Sequence, residues 1–180
     1  MNHFEKAFYK KINFDKDISK SKNILSNKIY DQSILVIGGA GTIGSSYIQQ
    51  ILKYKPSKIT VVDINENGLT ELTRDLRSSN LLDYNPEYIT YPVNLLSDTF
   101  DKIFNSESWK VVANFSAHKH VRSEKDKISV EALIKNNVFG AIKLLNLCEL
   151  NPPKYFFSVS TDKAANPVNI MGASKSLMEK

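Results

Sequence analysis

The chain is 180 residues long, 42% hydrophobic and 24% charged, the composition of one ordinary globular domain with a core of its own. Its formal net charge of +5 and pI near 9.1 raise the question of nucleic acid, but the lysines are scattered among 19 acids and form no basic stripe. The single cysteine, Cys148, excludes a disulfide framework within the chain, no apolar run approaches the ~20 residues of a membrane span, and the start lacks the apolar region of a secretory signal; a cytoplasmic protein is expected.

Residues 1–32 are lysine-rich with few apolar clusters, and read as a helical or partly mobile N-terminal extension, packed on a sheet edge or on a partner subunit. From residue 33 to residue 180 strand and helix patterns alternate, as in a parallel sheet covered on both faces. Ile34–Ile37 is a short buried strand that breaks at glycine, followed by a helix from Ser45 to Tyr54. Lys58–Val62 is a second strand ending in Asp63, and Glu66–Ser79 is a helix with Leu69, Leu72 and Leu76 on one face. Tyr88–Val93 predicts a third strand, Asp98–Asn105 a short helix, and Lys110–Ser116 a fourth strand. Ser129–Leu150 predicts a long apolar helix with Leu133, Leu144, Leu145 and Leu147 in the core, ended by Pro152 and Pro153. Tyr155–Ser160 is the fifth strand, and a last helix begins near Ile170. The expected fold is α/β, a doubly wound Rossmann-type parallel sheet in the order 3-2-1-4-5, with ligands at the carboxyl ends where the order reverses.

The polar clusters fall at those ends. Gly38, Gly41 and Gly44 recur every three residues between strand and helix, a turn that lets backbone and free helix N–H groups meet a pyrophosphate. Asp63, about one βαβ unit later, suits an adenosine ribose and repels a 2′-phosphate, favouring NAD over NADP; its alternative duty is to cap the helix starting near Glu66. His118 and His120, two apart with no third ligand, give no metal site. Thr161, Asp162 and Lys163 put a hydroxyl, a carboxyl and an amine in consecutive positions at the end of the fifth strand, either a catalytic group or an exposed turn.

Val159–Lys175 (VSTDKAANPVNIMGASK), Asn114–Val121 (NFSAHKHV), Val61–Gly68 (VVDINENG) and Asn137–Gly140 (NVFG) together resemble the bacterial UDP-N-acetylglucosamine 4,6-dehydratases. These are the CapD-like extended short-chain dehydrogenases of capsule, lipopolysaccharide and glycan-precursor synthesis. The resemblance runs from about Ser33 to Lys180. It implies an NAD-dependent lyase acting on a UDP-sugar, in which NAD is transiently reduced and a 4-keto-6-deoxy sugar results. Lys163 would take the proton on carbon 5, Asp162 would protonate the departing 6-hydroxyl, and Thr161 would bond the oxygen at carbon 4. Asp162 must then act protonated and Lys163 neutral. Met171 stands in the tyrosine position of the usual Tyr-x-x-x-Lys pair, as in the dehydratase subgroup, and Lys175 remains to bind the nicotinamide ribose.

The cofactor site implied comprises Gly38, Gly41, Thr42, Ile43, Gly44, Asp63, Asn94, Ser116, Ala117 and Lys175, with Lys119, His120 and Asn169 on the substrate side. Asn137 would order the active-site backbone. Ile37 and Asn94 replace the usual threonine and aspartate, weakening a turn bond and the adenine contact. Extended members continue into a carboxyl-terminal substrate lobe, so the chain reads as truncated before it and inactive alone, with homo-oligomer formation open. The alternatives are an NAD-binding module without turnover, or a nucleotide-sugar epimerase.

Overall fold

The computed structural model describes residues 14–118 and 124–180. Five short strands, β1 (Ser33–Ile37), β2 (Lys58–Asp63), β3 (Glu87–Pro92), β4 (Val111–Asn114) and β5 (Tyr155–Ser158), form an all-parallel sheet in the order β3-β2-β1-β4-β5. The expected order is therefore found. β1 sits at the centre, with Ile34 opposite both Ile59 of β2 and Val111 of β4. Alternate residues of β1 enter two separate cores, which is why the strand reads as one continuous apolar run.

Among the described residues two helices precede the sheet, α1 (Phe14–Lys20) and α2 (Lys22–Ile29). They are followed by α3 (Thr42–Leu52), α4 (Glu66–Ser78), α5 (Asp98–Asn105), α6 (Lys127–Ile134), α7 (Gly140–Leu150) and α8 (Ile170–Met178). On one face Ile34, Val36, Ile59 and Val61 meet Ile48 and Leu52 of α3 and the predicted Leu69, Leu72 and Leu76 stripe of α4. On the other, Leu35, Ile37, Val62 and Val112 meet Phe100 and Phe104 of α5 and Leu144 and Leu147 of α7. Each fully buried Leu, Ile or Phe contributes about 1.5–3 kcal/mol. The lysine-rich start is helical where described, and α2 packs against the first core through Ile29 and Leu25. The Lys28 ammonium lies 4.6 Å from the centre of the Tyr155 ring. No helix among the described residues is long and apolar enough to cross a membrane.

Several boundaries differ from the sequence reading, each by one to three residues. α3 starts at Thr42, three residues early, because the glycine turn itself supplies the N-cap, Gly41. β4 and β5 end at Asn114 and Ser158, two residues early; there Asn114 Nδ2 donates to Ser158 Oγ at 3.0 Å, beside a last backbone bond from Val159 N–H to Asn114 O at 2.9 Å. The long helix starts at Lys127, capped by Asp126, and is interrupted by a π-helical turn at Lys135–Phe139. Leu145 is not core: it is 48% exposed, while Leu133, Leu144 and Leu147 are buried as expected.

Candidate active site

Gly38 closes β1 with φ +74°, its N–H donating to Val62 O at 2.7 Å. A Cβ there would stand 2.5 Å from Ser116 N, so only glycine lets β1 and the segment after β4 approach this closely. A Cβ on Gly44 would meet Gly38 O at 2.4 Å, whereas one on Gly41 would meet nothing nearer than Gly38 O at 3.5 Å. The first N–H groups of α3, at Thr42, Ile43 and Gly44, have no acceptor in the preceding turn and no side-chain cap. This is the donor set that a pyrophosphate requires.

A cleft runs over this turn in two halves of about 220 Å3 each, sharing Gly38, Gly41, Phe115 and Ala117. It lies at the carboxyl ends of β1 and β4, where the strand order reverses. The first half is walled by Asp63, Asn94, Ser116 and His118. Asp63 does not cap α4. That cap is Asn65, whose Oδ1 accepts the Gly68 N–H at 3.0 Å. The two carboxylate oxygens of Asp63 instead accept the N–H groups of Ala40 and Asn65, both at 3.0 Å, which braces the glycine turn. Asn94 Oδ1 already accepts the Leu96 N–H at 2.8 Å. Ser116 is held through its N–H and hydroxyl, both donated to Asn114 Oδ1.

The second half brings together Thr42, Ile43, Gly44, Thr161, Lys163, Met171 and Lys175. Asp162 stays outside it on the exposed rim, in a single 3-10 turn (Asp162–Ala164). Its Oδ1 accepts the Thr161 hydroxyl at 2.9 Å and the Lys163 N–H at 3.0 Å. Lys163 is also exposed, so neither group of the pair is buried in this chain. Asn169 does not line the cleft; it is the N-cap of α8, accepting the Gly172 N–H at 2.8 Å. Lys119 and His120 lie outside the described residues.

Met171 is 4% exposed, and its backbone is held at both ends. Its N–H donates to Glu124 Oε1 at 2.8 Å, and its C=O accepts the Ser174 hydroxyl at 2.7 Å. Asn137, in the π turn, donates to Ser174 Oγ and His118 O and accepts the His118 N–H, tying the segment after β4 to α8. Asn137 was legible in advance as an ordering residue; Glu124 and Ser174 were not. Glu124 sits in a charged run that resembles any solvated loop, and Ser174 is one small residue before Lys175.

Lys175 is 4% exposed. Its Nζ donates to Val159 O at 3.1 Å and lies 3.5 Å from Met178 Sδ. Burial holds its pKa below the ordinary lysine value, with Glu179 pulling the other way. Tyr47 packs between Phe115 and Phe157, with ring centres 5.1 and 5.5 Å away, and burial pushes its phenol up to about 12. No cluster of three or more His, Cys, Asp or Glu side chains able to hold a metal is found among the described residues.

Comparison with known proteins places this site in context. Residues 34–180 match the family model described as polysaccharide biosynthesis protein. An uncharacterized membrane protein of Methanocaldococcus jannaschii is 35% identical over 87% of this chain and 44% of its own length. A Campylobacter jejuni UDP-N-acetylglucosamine 4,6-dehydratase (inverting) is 31% identical over 83% of this chain and 42% of its own. Among solved structures, Pen from Bacillus thuringiensis superposes with a TM-score of 0.72 at 26% identity, over 84% of this chain and 45% of that one. WbmF from Bordetella bronchiseptica, solved with NADH, shares the fold at a TM-score of 0.66 and 16% identity, over 84% of this chain and 44% of that one. The chain thus spans less than half the length of these relatives. From the matched span of 34–180, which covers the whole sheet and the cleft above it, the chain belongs to the polysaccharide biosynthesis protein family.

Proposed function

We propose that this chain is the dinucleotide-binding part of a nucleotide-sugar 4,6-dehydratase, converting a UDP-N-acetylglucosamine-like substrate to a 4-keto-6-deoxy sugar for surface polysaccharide. One observation carries the reading: Thr161, Lys163, Met171 and Lys175 line a cleft half that continues into the glycine turn. A dinucleotide fits that cleft on this chain's own features, since the α3 N–H groups are uncapped and Gly41 leaves room above them. NAD would supply a reversible hydride acceptor there.

In this reading Gly38, Gly41, Thr42, Ile43 and Gly44 hold the pyrophosphate. Asp63 receives the adenosine ribose, Asn94 the adenine, and Ser116 and Ala117 complete the wall. Asp63 favours NAD over NADP by charge, because a 2′-phosphate would face a carboxylate. Lys175 holds the nicotinamide ribose. At the sugar, the ketone at carbon 4 acidifies the carbon-5 proton, Lys163 removes it, and Asp162 protonates the departing 6-hydroxyl. Lys119 and His120 remain candidates for the substrate side, and Asn169 contributes by fixing the start of α8. An epimerase normally relies on the tyrosine that Met171 replaces.

The test is direct. The full-length protein, given NAD and UDP-N-acetylglucosamine, should release a 4-keto-6-deoxy product that is lost on Lys163→Ala. Tight NAD binding with no product from the unaltered protein would leave a binding module and end the dehydratase reading.

A further inference from the structure

Among the described residues, neither hydrophobic core contains a residue of α8, although this helix brings Met171 and Lys175 to the cleft wall. The two cores that hold the sheet therefore do little to fix where α8 sits, and polar ties decide it. Asn137 Nδ2 donates to Ser174 Oγ at 3.0 Å, and Lys175 Nζ donates to Val159 O at 3.1 Å. Glu124 Oε1 accepts the Met171 N–H at 2.8 Å across 47 residues of chain. This last tie is the shortest of the three. It sets a carboxylate on a first-turn N–H for which the helix itself has no acceptor, next to the Gly172 N–H that Asn169 caps.

The Glu124 bond also closes a ring. Met171 O accepts the Ser174 hydroxyl, Ser174 is held by Asn137, and Asn137 holds both backbone groups of His118. His118 and Glu124 are thus both fastened to the first turn of α8. A Cβ on Gly172 would stand 2.6 Å from Lys163 O, so this same turn presses on the backbone that carries Lys163.

We propose that Glu124 is a positioning residue for the dinucleotide: its carboxylate seats the first turn of α8 so that Met171 and Lys175 form the wall of the nicotinamide half of the cleft. The proposal rests on the reading above for what fills that cleft. Glu124 itself lies outside both halves and acts through the Met171 backbone. Because α8 stands apart from the two cores, loosening it is a local event, in which its amides open while the sheet stays folded. Reach and charge are separable here. Glutamine keeps the length and an acceptor oxygen, whereas aspartate keeps the charge and falls one methylene short.

The experiment uses the full-length protein and its Glu124→Ala, Glu124→Asp and Glu124→Gln variants, with calorimetric NAD titration, urea unfolding and amide hydrogen exchange. Glu124→Ala and Glu124→Asp should each weaken NAD by at least about tenfold, the effect of losing a hydrogen bond to a charged group. Exchange across Ile170–Met178 should quicken by about as much, with exchange in β1 and β4 and the urea midpoint unchanged. Glu124→Gln should stay within about threefold of the unaltered protein on both counts. NAD affinity retained in Glu124→Ala would overturn the proposal, and so would a glutamine variant as weak as the alanine one. A lowered urea midpoint with faster exchange throughout the sheet would make Glu124 a support of the whole fold and overturn it too. If the unaltered protein binds NAD but makes no 4-keto product, the dehydratase reading alone fails and the NAD titration still decides the role of Glu124. If it binds no NAD, both fall.

Discussion

Replacing Gly38 with alanine perturbs the cleft and the fold together, and the two contributions are separable from the geometry. The residue sits at φ +74°, and the left-handed region costs an L-residue about 1–2 kcal/mol. The new Cβ would also meet Ser116 N at 2.5 Å and Phe115 C at 2.7 Å. These are backbone atoms, so relief requires the end of β4 to move, an overpacking cost of about 1–3 kcal/mol. The sum is about 2–5 kcal/mol, a fall in Tm of roughly 4–20 °C at this chain length. Gly41→Ala is the control, because its Cβ would find Gly38 O only at 3.5 Å. It should change stability by under about 0.5 kcal/mol yet weaken NAD by at least about tenfold, its methyl standing where the pyrophosphate is proposed to lie. Urea unfolding and calorimetric NAD titration of the two variants measure both. Equal stability losses, or a loss under about 1 kcal/mol at Gly38, would refute the close approach of β1 to the segment after β4.

Three further expectations follow from the packing. Asn137→Ala strips partners from the His118 backbone and from Ser174, and should cost about 2–4 kcal/mol in urea unfolding, with Asn137→Asp recovering part. The folded-state pKa of Lys175 lies below its unfolded value, so the unfolded chain binds more protons between the two. Its burial therefore penalises the fold at neutral pH, and the penalty fades as pH rises toward the ordinary lysine range. Lys175→Met should remove that rise, seen as a stability difference between the two proteins that shrinks with increasing pH; a constant difference would contradict it. Leu145→Lys should leave the Tm within about 2 °C, whereas Leu144→Ala should cost about 2–5 kcal/mol.

Much of the fold was legible because its strongest signals are local. Ile34–Ile37 is apolar at every position since both faces of β1 are covered, and Leu69, Leu72 and Leu76 keep the helical period because α4 has a single buried face. The glycine turn could be read for the same reason: its spacing answers to sterics within a few residues. The misses are non-local. Leu145 is as apolar as Leu144, and only the direction from which the sheet approaches α7 decides between them. Asp63 and Asn65 are both good caps; Asn65 takes that role, and the bond from Ala40, 23 residues earlier, to an oxygen of Asp63 could not be read from the local sequence. The sequence likewise placed Asp162 among the reacting groups without revealing that Thr161, and not Asp162, forms the cleft wall.

The wide turn at Lys135–Phe139 constrains how this region can vary. One surplus residue in a helix rotates everything beyond it by about 100°. Here that rotation lets Asn137 reach His118 and Ser174 while Leu144 and Leu147 still meet Leu35 and Val112. Trimming the turn to ordinary helix by deleting one residue would keep the hydrogen-bonded spiral yet put its two halves out of phase, so that either the amide or the leucines lose their targets. Length in this stretch is therefore less free to drift than composition.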